Sequence, residues 1–207
     1  PLEQAGVGFF DVLANGASLA DLHLTDVAVY GKLTGDWDRP FVGGLVGGSL
    51  GMGKNARIDH CSVSGGIVSA EGKQWAYGGG LTASLYLDAY LTNCWTDVTV
   101  QVKSANGLCS AGGLAATNSN GSMIANCAAL GDVTAISGYT TSSTVSASVG
   151  GLVGQATGMF HNCYAAGNVA LTMAITPDEP AVGSLIGQMS TSRSYNGIVT
   201  DCRFNSK

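Results

Sequence analysis

VGGLVGQATGMFHNCYAAGNV, residues 149–169, holds two adjacent glycines, a leucine, a cysteine that follows an asparagine, and a later glycine and valine, with no acid, base or nucleophile pattern. Its elements recur. Aligned on the leucine, the blocks are FVGGLVG (41–47), YGGGLTA (77–83), SAGGLAA (110–116), SVGGLVG (148–154) and AVGSLIG (181–187). Leu45, Leu81, Leu114, Leu152 and Leu185 are spaced by 36, 33, 38 and 33 residues. Each block is followed by a second one: RIDHCSVSGGI, YLTNCWTDVTV, MIANCAALGDV, MFHNCYAAGNV and IVTDCRF, which place Cys61, Cys94, Cys127, Cys163 and Cys202 in one column. A degenerate first copy pairs GVGFF (6–10) with HLTDVAVYGKL (23–33), which puts Val27 in the cysteine column.

The residue before that column is Asp26, His60, Asn93, Asn126, Asn162 or Asp201, and six positions after it come Leu33, Ile67, Val100, Val133 and Val169. Fixed columns joined by segments of variable length, such as AISGYTTSSTVSAS (135–148), mark stacked rungs with loops between them. The period suits helical arrays as well as β-coils, and composition decides between them. Gly pairs, Thr, Val and Asn are poor helix-interior residues. The chain is therefore expected to be all-β, a parallel β-solenoid of about six coils of 33–39 residues, each with three short strands and right-handed by the crossover rule. The coils divide as a degenerate 1–40, then 41–76, 77–109, 110–147, 148–180 and 181–207, within a single domain. The opening PLEQAGVG lacks an initiator Met and a signal-type apolar run, and is read as a piece excised from a longer chain.

In MIANCAALGDV, Ile124 and Cys127 both suit the interior, but a spacing of three breaks strand parity, so a corner falls between them. Asn and Asp tolerate left-handed backbone there, and stacked Asn side chains bond their counterparts in neighbouring coils. His60 stands in for Asn. The glycine pair permits a bend or a close backbone approach. Equivalent cysteines on stacked coils lie about 4.8 Å apart with parallel Cβ bonds, whereas a disulfide needs Cβ atoms about 3.8 Å apart and turned together. The column cysteines are expected to be reduced thiols in a dry interior. Cys109 lies outside the column, and the sequence suggests no role for it.

With 45% hydrophobic and 11% charged residues, disorder is excluded. A net charge of −5 with nine Lys and Arg excludes the basic stripe that nucleic acid requires. No apolar run is long enough to span a membrane as a helix. No HExxH, GxSxG, Walker loop or CxxC occurs, so no catalytic, cofactor or metal residues are assigned. Asp97 and Asp132 fall near equivalent outward positions of consecutive coils, which keeps a carboxylate-based polysaccharide lyase or glycosidase open as an alternative, with Lys103 the one base close in sequence. The stronger lead is aromatic. Trp37, Trp75, Tyr77, Tyr90, Trp95 and Tyr139, with Tyr86 and Tyr164, fall in loops or beside the columns, where aromatics contact sugars or proteins or cover coil edges.

GGLVG followed by NCY-x-x-G-x-V resembles the GLUG repeat, whose name echoes its G-L-x-G core. The resemblance covers nearly the whole chain, weakly in residues 1–35. Thr82-Ala83 and Ala115-Ala116 replace Val-Gly in two units, and Trp95-Thr96-Asp97-Val98 lacks the later glycine. Such repeats occur in large bacterial surface proteins, including the non-catalytic region of streptococcal-type immunoglobulin A1 metalloproteases, and in adhesins. The resemblance implies an extracellular, cell-surface location and a non-enzymatic role as adhesin or rigid stalk, with the rest of the parent polypeptide and a host glycan or protein as partners. An accessory stalk of a surface protease is the further alternative.

Overall fold

The computed structural model describes residues 4–48, 52–138, 147–174, 181–190 and 197–205. It winds the chain into a parallel β-solenoid bounded by four sheets, with no α-helix among the described residues. Sheet A stacks Gln4–Val7, Arg39–Gly43, Trp75–Gly79, Leu108–Gly112, Ser148–Gly150 and Ala181–Gly183. Sheet B stacks Thr82–Leu85, Ala115–Asn118, Val153–Ala156 and Ile186–Met189. Sheet C stacks Ser18–Ala20, Arg57–Asp59, Tyr90–Thr92, Met123–Ala125, Met159–His161 and Ile198–Thr200. Sheet D begins with the long strands His23–Lys32, Ser62–Gly72 and Trp95–Ser104 and ends at Arg203–Asn205. Between them its strands are divided, as Ala128–Ala129 with Val133–Ser137 and Tyr164–Ala166 with Val169–Met173. Strand pairing is parallel in every sheet. Five complete turns and a partial sixth result. At about 4.8 Å per coil, the six strands of sheet A span roughly 24 Å along the axis.

From the third coil on, sheet B adds a fourth wall to the expected three strands; the first two coils hold three strands each, with isolated bridges at Phe10, Leu13, Val46 and Met52 in its place. The glycine pair folds the chain back between sheets A and B, so that an apparently single segment becomes two short strands on different faces.

Strand Trp95–Ser104 shows the logic of the walls. Trp95, Asp97, Gln101 and Lys103 are exposed, while Thr96, Val98, Val100, Val102 and Ser104 are buried, the period-two pattern of a strand with one face on the core. The inward residues stack into files. Sheet C contributes Leu19, Ile58, Leu91, Ile124, Phe160 and Val199. Sheet D contributes Val29, Val68, Val100, Val133 and Val169. Leu45, Leu81, Leu114 and Leu152 are fully buried, and each donates its backbone N–H to the leucine carbonyl of the next coil at 2.8–2.9 Å. One file, Met52, Leu85, Asn118, Ala156 and Met189, admits a polar member. Asn118 is fully buried, and neither amide atom has a hydrogen-bond partner.

The corner between sheets C and D carries His60 (φ 49°), Asn93 (53°), Asn126 (54°), Asn162 (49°) and Asp201 (54°), all left-handed as expected for a corner set by Asn and Asp. Their side chains form a ladder: Asn162 Nδ2 donates to Asn126 Oδ1 at 2.9 Å, and Asn126 Nδ2 to Asn93 Oδ1 at 3.1 Å. Asn93 Nδ2 donates to Asp59 Oδ1 at 2.8 Å, because His60 occupies the next rung of the column.

The first coil departs from the expected alignment. Its corner residue is Asp21 (φ 55°), and Leu22, not Val27, occupies the cysteine column, since Ser62 N–H donates to the Leu22 carbonyl as Trp95 N–H does to that of Cys61. Asp26 instead sits at the second bend, against Gly65. Downstream, Val29 and Val68 replace Leu33 and Ile67 in the aliphatic file. The Ser62–Gly72 strand holds one extra residue, absorbed as a register shift opposite Asp97 and Thr99 at Gly65 and Gly66, both with positive φ. A constant offset along the sequence cannot reveal such a bulge.

The glycine pair is required by close approach. A Cβ on Gly80, Gly113 or Gly151 would meet the backbone carbonyl of the next coil at 2.1–2.2 Å. In the last coil the same position is Ser184, and no coil lies beyond it among the described residues.

All six cysteines are free thiols. The column sulfurs do more than fill space. The Sγ atoms of Cys94, Cys127 and Cys202 each accept a backbone N–H from the preceding coil's cysteine (Cys61 to Cys94 at 3.3 Å, Cys94 to Cys127 and Cys163 to Cys202 at 3.4 Å). Each S–H points at the carbonyl two residues back, at 3.0–3.3 Å. The left-handed corner turns the cysteine amide along the solenoid axis, and sulfur is the acceptor that reaches it.

Candidate functional site

Trp37, Trp75 and Tyr77 lie together on the outer surface of sheet A and the corner that leads into it. Trp37 belongs to the short loop before Arg39–Gly43, and Trp75 opens the equivalent strand one coil on. Their ring centroids are 5.7 Å apart with planes inclined by 33°, and Trp37 is 61% exposed. An ion pair between Lys73 and Asp36 ties the two loops that present them. Tyr77 stacks on Phe41 at 4.4 Å with parallel planes, because these two are register partners in adjacent strands. Burial pushes the Tyr77 phenol up, so it remains neutral and a hydrogen-bond donor.

Arg39 completes the cluster. Its guanidinium carbon lies 4.5 Å from the centroid of the Trp75 ring, a cation–π contact. Its Nε is buried without a hydrogen-bond partner, and no ion pair among the described residues involves it. Neither Arg39 nor Phe41 stands out as a site residue in the sequence. The signal was present in the repeat, since Arg39 aligns with Trp75 and Phe41 with Tyr77 once the strand register is known.

The remaining aromatics lie elsewhere. Tyr90 is on sheet C, with the Arg57 guanidinium 5.1 Å from its ring centre. Trp95, 40% exposed, starts a strand of sheet D and has Ser62 and Ala128 as its neighbours in register. Tyr164 lies further along the same column, beside Ala128. Tyr86 is half-buried at the bend after sheet B. Tyr139 lies outside the described residues, as does most of the 135–148 segment after Gly138.

Asp97 and Asp132 are not equivalent. Thr99 stands opposite Asp132, and Leu130 opposite Asp97, so the two carboxylates occupy different columns of sheet D. Asp132 is engaged in the fold, where its Oδ1 accepts the Asn168 N–H at 2.7 Å and Asn168 Nδ2 at 3.1 Å. Lys103 and Lys32 both face Glu71, at 3.9 and 3.0 Å, a charge ladder across three coils.

The C–D corner holds the most structured polar group. Asp59 Oδ1 accepts Thr92 Oγ1–H at 2.6 Å and Asn93 Nδ2 at 2.8 Å, while Oδ2 lies 2.8 Å from His60 Nδ1. These bonds to Thr92, Asn93 and His60 hold the Asp59 carboxyl down at about 2. Ser62 Oγ bonds His23 Nδ1 at 2.8 Å, but Ser62 is only 2% exposed and is closed to a substrate. Three of the thiols are equally withdrawn: burial pushes Cys109 and Cys163 up to about 12 and Cys127 well above its ordinary value, so none of the three is a ready nucleophile. Among the described residues no three His, Cys, Asp or Glu side chains converge to hold a metal ion.

The profile of the GLUG motif matches residues 107–134 and 145–170, which are the third and fourth of the glycine–leucine blocks with their cysteine segments. No curated protein sequence matches the chain. Among solved structures, a Bacteroides ovatus protein provisionally assigned as an immunoglobulin A1 protease is similar at a TM-score of 0.44 and 15% identity. The similarity extends over 99% of this chain and 66% of that one.

Proposed function

We propose that this array of GLUG-type coils is a rigid, non-enzymatic interaction module of a bacterial cell-surface protein, holding an exposed aromatic surface on a stiff frame. The observation that carries the reading is the Trp37–Trp75 pair with Arg39 beside it, on consecutive coils of sheet A. Trp37 is no more exposed than Tyr30 or Phe9, and what sets it apart is the second indole and the cation held beside it, the grouping that interaction surfaces favour. The frame supports presentation. Its coils are joined by backbone ladders on four sides, by the Asn corner and by the sulfur file, so a ligand at sheet A loads the whole array. Five of the six thiols are buried, which would confine oxidation outside a cell to Cys202.

The test is a binding screen of the protein against immobilised host glycans and extracellular proteins, repeated with Trp37→Ala and Trp75→Ala. A ligand that both variants lose is expected. If no bound ligand depends on either tryptophan, the reading fails.

A further inference from the structure

Resting on that reading, we propose that Trp37, Trp75 and Arg39 form a subsite for a carboxylated sugar residue of a glycan, with the Trp37 ring against an apolar pyranose face and the Arg39 guanidinium paired to the carboxylate.

Three observations lead there. The first is the state of Arg39. Its guanidinium makes no ion pair among the described residues and its Nε is sealed in without a hydrogen-bond partner, so no acid that the structure describes balances the charge, and a planar oxyanion paired to the outer edge of the guanidinium would do so. The neighbouring charges do not supply one. Asp36 is paired with Lys73, and Asp38 Oδ2 accepts the Gly35 N–H at 2.8 Å. The second is the geometry of the rings. Trp75 holds the guanidinium 4.5 Å from its ring centre and stands 5.7 Å from Trp37, so the cation and the exposed indole are fixed relative to one another by a common neighbour. A flat, electron-rich ring beside a fixed cation matches a ligand that presents C–H bonds on one face and a carboxylate at its edge.

The third observation separates a glycan from a peptide. Peptides commonly dock by adding a strand to a free sheet edge. Arg39–Gly43 and Trp75–Gly79 are inner strands of sheet A, each paired on both sides, so the patch offers no such edge. What it offers is side chains alone, the mode suited to a ligand without a β-pairing backbone.

The experiment titrates the protein, at low ionic strength, with oligogalacturonate, a neutral cello-oligosaccharide of equal length and an oligo-glutamate peptide, read by tryptophan fluorescence and calorimetry. The expected result is binding of oligogalacturonate with a preference of about tenfold over the neutral sugar, the size of one charge-assisted pair. Arg39→Ala removes that preference, Arg39→Lys retains part of it, and Trp37→Ala weakens the acidic sugar strongly. Circular dichroism of each variant checks the fold, and the Lys variant keeps the cation should the Ala variant unfold. Equal affinity for the two sugars, a preference that survives Arg39→Ala, or no binding of oligogalacturonate overturns the carboxylated-sugar assignment, and so does tighter binding of the peptide. The broader interaction reading fails separately, when Trp37→Ala and Trp75→Ala leave every ligand of the glycan and protein screen unaffected.

Discussion

Replacing Gly113 with Ala tests the stacking geometry at its tightest point. The added Cβ would lie 2.2 Å from the Gly151 carbonyl oxygen and 2.8 Å from the Ala129 Cβ, against the 3.4 Å at which ordinary contact begins. The two coils must part locally by about 1 Å, and the obstacle is backbone, so no side chain can rotate away. Three ladder bonds cross that spot: Gly113 N–H to Gly151 O (3.2 Å), and Leu114 N–H (2.9 Å) and Ala115 N–H (3.2 Å) to Leu152 O. Lengthening each by that amount takes it out of bonding range. At about 1 kcal/mol net per bond the loss is roughly 3 kcal/mol, similar to the upper range for overpacking a core. The control is Ser184→Ala, which changes an exposed residue at the same column position and is expected to stay within about 0.5 kcal/mol. Urea unfolding followed by tryptophan fluorescence gives both values, and for a chain of this size the Gly113 variant should melt roughly 6–12 °C lower. Gly113→Ala with an unchanged midpoint would refute the claim that the pair exists for coil-to-coil approach.

Asn118→Leu should raise stability by about 1–2 kcal/mol, because it removes a buried amide without partners and places at that position the residue the file already carries at Leu85; a lower urea midpoint would show that the amide is satisfied. With Ellman's reagent on the native protein, Cys202 alone should react promptly, and all six thiols after unfolding; fast reaction of a second native thiol contradicts the buried file. Asp59 has a depressed folded-state value, so its contribution to stability is complete above the ordinary carboxylate range and is lost as pH falls from about 4 to about 2. An NMR titration should find it at about 2, and Asn93→Ala should move it upward, since the Asn93 amide is one of the bonds that hold it down. An unmoved midpoint in that variant removes the corner bond from the account.

Much of this architecture was legible before any coordinates. Side-chain period two, the spacing of three between Ile124 and Cys127, and the Asn/Asp column are local or translational signals, and stacking repeats them, so the corner, the Asn ladder and the free thiols could be placed by counting. Aligning like with like works wherever successive coils have equal arc length. It failed in the first coil, where His23–Lys32 was aligned five residues out, and at Gly65 and Gly66, where one extra residue is taken up as a bulge. Both errors concern register, which backbone pairing between distant segments sets.

The aromatic site shows the same division. Trp37, Trp75 and Tyr77 were recognisable as exposed aromatics, but so were Tyr90 and Trp95, which the fold sends to other faces. Arg39 had no local mark at all. Its cation–π contact and its unpartnered Nε exist only because a coil stacks on the one before it and brings residue 75 against residue 39. The sequence alone determined that the chain would coil and what its interior would be made of, since apolar periodicity and left-handed corners are encoded within each repeat. Only the tertiary structure decided which outer residues meet, because the loops differ in length from coil to coil and the surface is assembled across coils.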